Sequence, residues 1–298
     1  MKNIKILVPL DFSDLSTRAL TAAQQFAKLF DGRVTPFHAY LPISEMEGPY
    51  MLGYGTTPTE DYDEIEMSLK ERLEEVAREQ VDPAYLDESI VSVGNAAHAI
   101  ADEGKAYDMI IMSTHGRTGF SRFFLGSVAE KVLRISHVPV LVIDKESEIG
   151  PIKKILTTTD FSDNSHAAFP LVQSISEAAD AEVELLNVMS YDPQHDEKPD
   201  EGKISLRKKR LEILAKEELH EISDRLKINV IVSQDTPHET ILNYNLNKPA
   251  DLIVMATVGR TGIDYLMMGS TTTNIVRHVK TPVLSVNPKK KVEALDAE

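Results

Sequence analysis

KILVPLDFSD at residues 5–14 returns as KILTTTDFSD at residues 154–163, 149 positions further along the chain. A long-range repeat of this kind indicates a duplicated structural unit. The chain has 298 residues, which is long enough for two ordinary domains. We therefore predict two copies of one domain, at residues 1–145 and 151–290, with the linker between them.

The two copies differ in length. DMIIM at residues 108–112 returns as DLIVM at residues 251–255, only 143 positions later, and PVL at residues 139–141 returns at the same distance. The first copy is therefore six residues longer between its start and this point. Residues 42–61, which are rich in Gly, Pro, Tyr and Thr, are the expected place of the surplus.

Apolar runs alternate with amphipathic segments in each copy, as strands and helices do in a parallel, doubly wound α/β sheet. We expect residues 192–203 to form a polar loop. The predicted strands are 4–9, 33–40, 89–93, 109–113 and 138–143, then 154–158, 182–189, 229–233, 252–256 and 283–286. The predicted helices are 15–30, 64–80, 96–105 and 127–135, then 165–178, 204–226, 238–245 and 270–278.

The composition of the chain argues against several classes of protein, including disulfide-bonded, nucleic-acid-binding and membrane-spanning proteins. Cysteine is absent, which excludes disulfides and thiolate sites. The net charge of -15 opposes binding to nucleic acid or anionic lipid. No apolar run reaches the roughly 18–20 residues of a membrane span, and the apolar run at the amino terminus is too short for a signal peptide. We expect a cytoplasmic protein with no membrane or nucleic-acid partner.

Open α/β sheets bind ligands beyond the carboxyl ends of their strands. Two loops of each copy fall there, after the first strand and after the fourth. The candidates in the first loops are Pro9, Leu10 and Asp11, then Thr159 and Asp160. The candidates in the second loops are Ser113, His115, Gly116, Arg117, Gly126, Ser127 and Val128, then Ala256, Gly259, Arg260, Gly269, Ser270 and Thr271.

These residue types suit a phosphate ligand. Glycine lacks a β-carbon, so backbone N–H groups can approach an anion closely. The predicted helix that begins at Ser127 adds unpaired N–H groups and the positive end of a helix dipole. Arg117 could add positive charge. The carboxylate of Asp11 cannot favour phosphate, but it could accept hydrogen bonds from a ribose or a base.

Each feature also has a purely structural interpretation. The glycines could form turns, Asp11 and Ser13 could cap the first helix, and Ser127 could cap the helix that follows it. His115 is most simply a loop residue, because Val258 stands at its matching position. The two loop arginines could be solvated or could serve an interface. The functional interpretation is favoured because the set occurs twice, with the same nine-residue gap between its two glycines.

Other functional classes lack their motifs. The sequence contains no G-x-x-x-x-G-K-[ST] phosphate loop, no G-x-G-x-x-G after the first strand and no G-x-S-x-G nucleophile elbow. Its histidines and carboxylates do not have metal-ligand spacing, so we predict no metal site.

The motifs together resemble universal stress proteins, and the whole chain is similar to a tandem member of that family. The resemblance rests on ILVPLDFS at 6–13, IIMSTHGRTG at 110–119, the Gly126-Ser127 pair and HVPVLVI at 137–143. It implies Rossmann-like domains, each with a five-stranded parallel sheet in the order 3-2-1-4-5 flanked by helices. It also implies pairing of the domains through their last strands, within one chain here, and possible homodimers.

The resemblance further implies a ligand, because some family members bind ATP through a G-x-x-G-x(9)-G-[ST] loop. The chain departs from that pattern at the first glycine, which is replaced by Ser113 and by Ala256. We expect ATP, with or without Mg²⁺, in at least one copy, and rank the first copy ahead. The residues matched to the family are Gly116, Gly126 and Ser127 with Gly259, Gly269 and Ser270 for the phosphates, Asp11 and Asp160 near the nucleoside, and Ala39 and Val188 beside adenine.

The leading hypothesis is a stress-response protein that binds an adenine nucleotide with little or no turnover. One alternative is a structural or interaction protein of the same fold that has lost the nucleotide. A third is a slow ATPase or an autophosphorylating protein with Ser127 or Ser270 as the acceptor, although neither loop offers an assured general base.

Overall fold

The computed structural model of the chain describes residues 1–41, 62–116, 125–259 and 268–289. Strands and helices alternate through the same order twice, so the predicted α/β class is confirmed. The strands are β1 (Lys5–Pro9), β2 (Arg33–Tyr40), β3 (Ile90–Val93), β4 (Met109–Ser113), β5 (Val140–Ile143), β6 (Lys154–Thr158), β7 (Glu182–Ser190), β8 (Leu226–Ser233), β9 (Leu252–Ala256) and β10 (Val283–Val286). The helices are α1 (Asp14–Phe30), α2 (Tyr62–Gln80), α3 (Ala96–Glu103), α4 (Ser127–Ile135), α5 (Phe169–Ala179), α6 (Glu201–Glu218), α7 (Pro237–Asn247) and α8 (Ser270–His278). Residues 42–61, the expected place of the extra length, lie outside the described residues.

The described strands form one ten-stranded sheet in the order β3-β2-β1-β4-β5-β10-β9-β6-β7-β8. Each half therefore has the strand order 3-2-1-4-5 and is parallel throughout. The two last strands pair in the antiparallel sense at the centre, with Leu284 opposite Leu141. The pairing gives each of these strands a neighbour on the side that would otherwise be an open sheet edge.

Helices cover both faces of the sheet, which is why the central strands β1, β4, β5 and β9 carry buried apolar residues on both faces. In β1, Ile6 and Val8 point to one face and Leu7 points to the other, and all three are fully buried. The core on the first face includes residues of α1, α2, α5 and α6. The core on the opposite face includes residues of α3, α4, α7 and α8.

Most predicted bounds lie within two residues of those observed, but helix 165–178 is divided. Residues Ser165–Ala168 form a turn of 3-10 helix, and α5 begins only at Phe169. Pro170 lies in the first turn of α5. Since proline has no N–H to donate and is favoured at the start of a helix, it determines where the regular helix begins.

The predicted helix 204–226 is wrong at both ends. It starts earlier, at Glu201, because the side chain of Asp200 accepts a hydrogen bond from the backbone N–H of Lys203 and caps it. The predicted polar loop is correspondingly shorter. The helix also ends earlier, at Glu218, and Leu219 has non-helical φ and ψ of −131° and 25°. Leu226 belongs to β8, which pairs with β7 over eight residues.

No helix in the described ranges is long and apolar enough to span a membrane.

Candidate functional site

The candidate loops of the first half meet at one cavity of about 270 Å³. It opens where β1 and β4 end and α4 begins, as expected for the carboxyl ends of parallel strands. Arg117 lies outside the described residues. Every other candidate of this half lines the cavity, namely Pro9, Leu10, Asp11, Ala39, Ser113, His115, Gly116, Gly126, Ser127 and Val128.

The second half has a cavity of about 450 Å³ in the matching position. Arg260 lies outside the described residues. The other candidates of this half line the cavity, namely Thr159, Asp160, Val188, Ala256, Gly259, Gly269, Ser270 and Thr271. A wider depression of about 590 Å³ lies near the amino ends of β1 and β3, and none of the candidates borders it.

The aspartate of the first loop is held in place in both halves. Asp11 Oδ1 accepts hydrogen bonds from the backbone N–H and the hydroxyl of Ser13, at 3.1 and 2.6 Å. Asp160 makes the same two bonds with its own loop, at 2.9 and 2.5 Å. A β-carbon at Gly116 would collide with Asp11 Oδ2, and one at Gly259 would lie 2.7 Å from Asp160 Oδ2. These glycines therefore allow the carboxylate, rather than only a ligand, to approach the second loop.

The residue after each aspartate is strained. Phe12 and Phe161 both have a φ of 63°, in the left-handed region that bulky residues rarely adopt. A guanidinium stacks on each ring, since Arg72 lies 4.5 Å from the centroid of Phe12 and Arg210 lies 4.4 Å from that of Phe161. Backbone strain of this kind often occurs at functional sites. The repeated DFS sequence was its only signal, and sequence reasoning missed it.

Neither Ser127, at the start of α4, nor Ser270, at the start of α8, is a helix cap. Gly126 and Gly269 occupy the cap positions of α4 and α8, and neither helix has a side-chain cap hydrogen bond. The N–H of Gly126 is bonded to Thr114 O at 2.8 Å, and that of Gly269 to Thr257 O at 2.7 Å. An anion would therefore meet the N–H groups and hydroxyls of the residues that follow. The alternative that Ser127 caps α4 is therefore wrong.

The position of the family's first glycine is closely packed. Ser113 and Ala256 are both buried, and the hydroxyl of Ser113 donates to His115 O at 2.8 Å. His115 Nδ1 lies 3.0 Å from Thr114 Oγ1 and 3.9 Å from a carboxylate oxygen of Asp144. Its Nε2 is buried and makes no hydrogen bond with the described residues.

Among the cavity residues that sequence reasoning missed, His38 and Asn187 hold the first loop of each half in place. His38 Nδ1 lies 2.7 Å from Leu10 O, and Asn187 donates to Thr159 O at the same distance. Both residues line their cavities. They occupy one position of the repeat, 149 residues apart. Each joins β2 or β7 to the first loop, and the repeat was the signal that could have found them.

The second cavity is the more polar of the two. Thr158 and Thr271 replace Pro9 and Val128 at matching positions. Thr236 and His238, at the start of α7, also line the second cavity. Neither half contains a cluster of three or more metal-ligating side chains among its described residues.

Comparison with known proteins agrees with this architecture. A universal stress protein of Methanocaldococcus jannaschii is 33% identical over 141 residues, which are 47% of this chain and 82% of that protein. One of Mycolicibacterium smegmatis is 23% identical over 95% of this chain and 97% of its own. The crystal structure of a universal stress protein from Archaeoglobus fulgidus matches 96% of this chain and 97% of its own, with a TM-score of 0.69 and 23% identity.

The family itself is matched twice. Residues 3–144 and residues 151–287 each match the Universal stress protein family, so the matches cover both halves of the repeat. This chain belongs to the Universal stress protein family, with one family unit in each half.

Proposed function

We propose that this protein binds ATP or a related adenine nucleotide in one or both cavities, with little or no turnover, as part of a cytoplasmic stress response. One observation carries the proposal. In each half, every candidate that the structure describes lines a single cavity at the start of a helix. Such an arrangement brings N–H groups and a helix dipole to one place, which suits phosphate.

The walls of the first cavity suit the rest of a nucleotide. Leu10, Ala39 and Ile100 offer apolar surface for a base. In the proposal, the phosphates lie against the first turn of α4, with any Mg²⁺ carried by the phosphates. We expect little turnover because the carboxylates of Asp11 and Asp160 already accept hydrogen bonds within their own loops.

Titration calorimetry with Mg-ATP tests the proposal and separates the halves. Ala39→Phe fills the first cavity and Val188→Phe fills the second, so each should remove one component of binding and leave the other. Val93→Phe, at a residue 48% exposed, is the matched control. Absence of both binding heat and thermal shift at millimolar nucleotide would rule the proposal out.

The same samples decide between the alternatives. Nucleotide released on denaturing protein purified without added ligand would exclude a purely structural role. Transfer of label from γ-labelled ATP to Ser127 or Ser270 would contradict the expectation of little turnover and would favour autophosphorylation.

A further inference from the structure

The most basic stretch of this acidic chain lies on one helix. KISLRKKR at residues 203–210 contains five cations and no acid, whereas the net charge of the chain is -15. The stretch falls within α6. Helix α2, the second helix of the first half, has no such stretch and is strongly acidic.

The outer face of α6 combines cations with exposed apolar side chains. The helix buries Leu211, Leu214 and Ala215. The opposite face presents Leu206, Lys209, Ile213 and Lys216, spaced three and four residues apart as in helices that pack against each other. Leu206 is 71% exposed and Ile213 is 56% exposed. Lys209 and Lys216 make no ion pair with the described residues.

The outer face of α2 carries the opposite charge to the outer face of α6. The helix buries Leu73 and Ala77. The opposite face presents Glu64, Met67, Glu71 and Glu75, all exposed, with Met67 at 58%. None of its three glutamates is paired within the described ranges. We name these four residues the acidic stripe, and the four outer residues of α6 the basic stripe.

We propose that a second copy of this chain covers the two stripes, with the basic stripe of one copy packed against the acidic stripe of its partner. Both helices contribute to the core on the same face of the sheet. A two-fold axis parallel to that face can therefore form both helix pairs at once and close the dimer. Lysines oppose glutamates, and Leu206, Ile213 and Met67 become buried.

The net charge argues against the other classes of partner. A basic helix with exposed leucine is also typical of membrane-surface binding. The rest of this chain, however, is more negative than its total of -15 and would be repelled by anionic lipid and nucleic acid. The chain itself offers an acidic surface with an exposed apolar side chain, the acidic stripe with Met67.

Sedimentation equilibrium of the full chain at low salt tests the inference by charge swapping. Wild type should be a dimer. Lys209→Glu with Lys216→Glu, and separately Glu71→Lys with Glu75→Lys, should each weaken the dimer by about tenfold or more, because like charges then face each other. Mixing the two reversed proteins should restore a dimer, since both helix pairs are complementary again.

Lys145→Glu with Lys198→Glu changes the net charge equally at exposed sites outside both stripes and should leave the dimer intact. Circular dichroism checks that each variant is folded. A monomeric wild type, or reversed proteins that dimerise normally, would overturn the inference. So would wild-type binding to phosphatidylserine vesicles that is lost in Lys209→Glu with Lys216→Glu, because that result assigns the basic stripe to a membrane.

Discussion

Gly126 and Gly269, which precede α4 and α8, have different amounts of room beside them. A β-carbon at Gly126 would lie 2.8 Å from Thr114 O, whereas one at Gly269 would lie 3.2 Å from Thr257 O. Both glycines have extended φ angles near −60° that any residue can adopt. Glycine is therefore favoured at both positions for steric reasons, because a backbone carbonyl of the preceding loop lies close to where a β-carbon would be.

This difference predicts unequal costs for the same substitution. Gly126→Ala should destabilise the fold by about 1–3 kcal/mol, because a backbone carbonyl must move. Gly269→Ala should lower the free energy of unfolding by a smaller amount, because its nearest carbonyl oxygen is farther away. Urea denaturation of both variants measures the difference, with Gly150→Ala as the control, since a β-carbon there meets nothing within 4 Å. Equal losses at Gly126 and Gly269 would contradict the steric explanation.

At the scale of elements, a buried carboxylate ties α7 to two strands. Glu184 of β7 is 8% exposed. It accepts a hydrogen bond from the Tyr244 hydroxyl and lies 3.3 Å from Nζ of Lys154. Burial, followed by the bond to Glu184, raises the pKa of Tyr244 above its ordinary value. The phenol therefore keeps its proton, and its bond to the carboxylate, beyond the usual pH range.

Tyr244→Phe should destabilise the fold by about 1.5 kcal/mol at neutral pH, because the charged carboxylate loses a donor. A folded pKa above the unfolded value means that this stabilisation is complete below pH of about 10 and is lost as pH rises through the folded pKa. Urea midpoints of wild type and variant should therefore converge at high pH. Tyr191→Phe, whose hydroxyl bonds the exposed Gln234, is the control. A difference independent of pH would contradict the assignment.

Helix α6 shows how one side chain determines an element boundary. Asp200 caps its first turn. Asp200→Ala should therefore lower the free energy of unfolding by about 1 kcal/mol. Glu197→Ala, at an exposed residue just before the helix, should be neutral. Thermal denaturation compares the two variants. If both variants melt as wild type does, the cap does not hold this helix.

At the scale of the whole molecule, one side chain connects the second site to the first half. Asn287 accepts a hydrogen bond from Thr257 Oγ1 and donates one to Ser136 O. Thr257 belongs to the candidate loop after β9, and Ser136 directly follows α4, the helix that borders the first cavity. In the other direction, Ser147 of the linker donates to Lys280 O, beyond the end of α8, at 2.6 Å. The second half thus contacts the residue after α4, and the linker contacts the segment just after α8.

Asn287→Ala should destabilise the protein by about 1–3 kcal/mol, because two partly buried groups lose their partner. It should also broaden the unfolding transition, since the halves then separate more easily. Urea unfolding curves test both effects, with Asn243→Ala, an exposed position on α7, as the control. A single transition of unchanged midpoint would show that the contact contributes nothing.

The sequence by itself determined the duplicated α/β architecture and most helix and strand positions. The central parallel strands, covered on both faces, form short apolar runs, and the helices that cover them are amphipathic, so each kind of element leaves its own sequence pattern. It also located the candidate loops, because Gly-x(9)-Gly-Ser occurs twice. It misplaced the end of α6, since the buried Leu219 and Ile222 continue the apolar periodicity, although Leu219 ends the α-helix and Ile222 lies in a short 3-10 helix over His220–Ile222.

Only the tertiary structure decided which partner each side chain meets. Asp11 lies against Gly116, about a hundred residues away, and Asn287 bonds to Ser136 in the other half. The positive φ of Phe12 likewise depends on the residues packed around it. Local sequence carries periodicity and turn chemistry, whereas contacts between distant segments arise only after the sheet has brought them together.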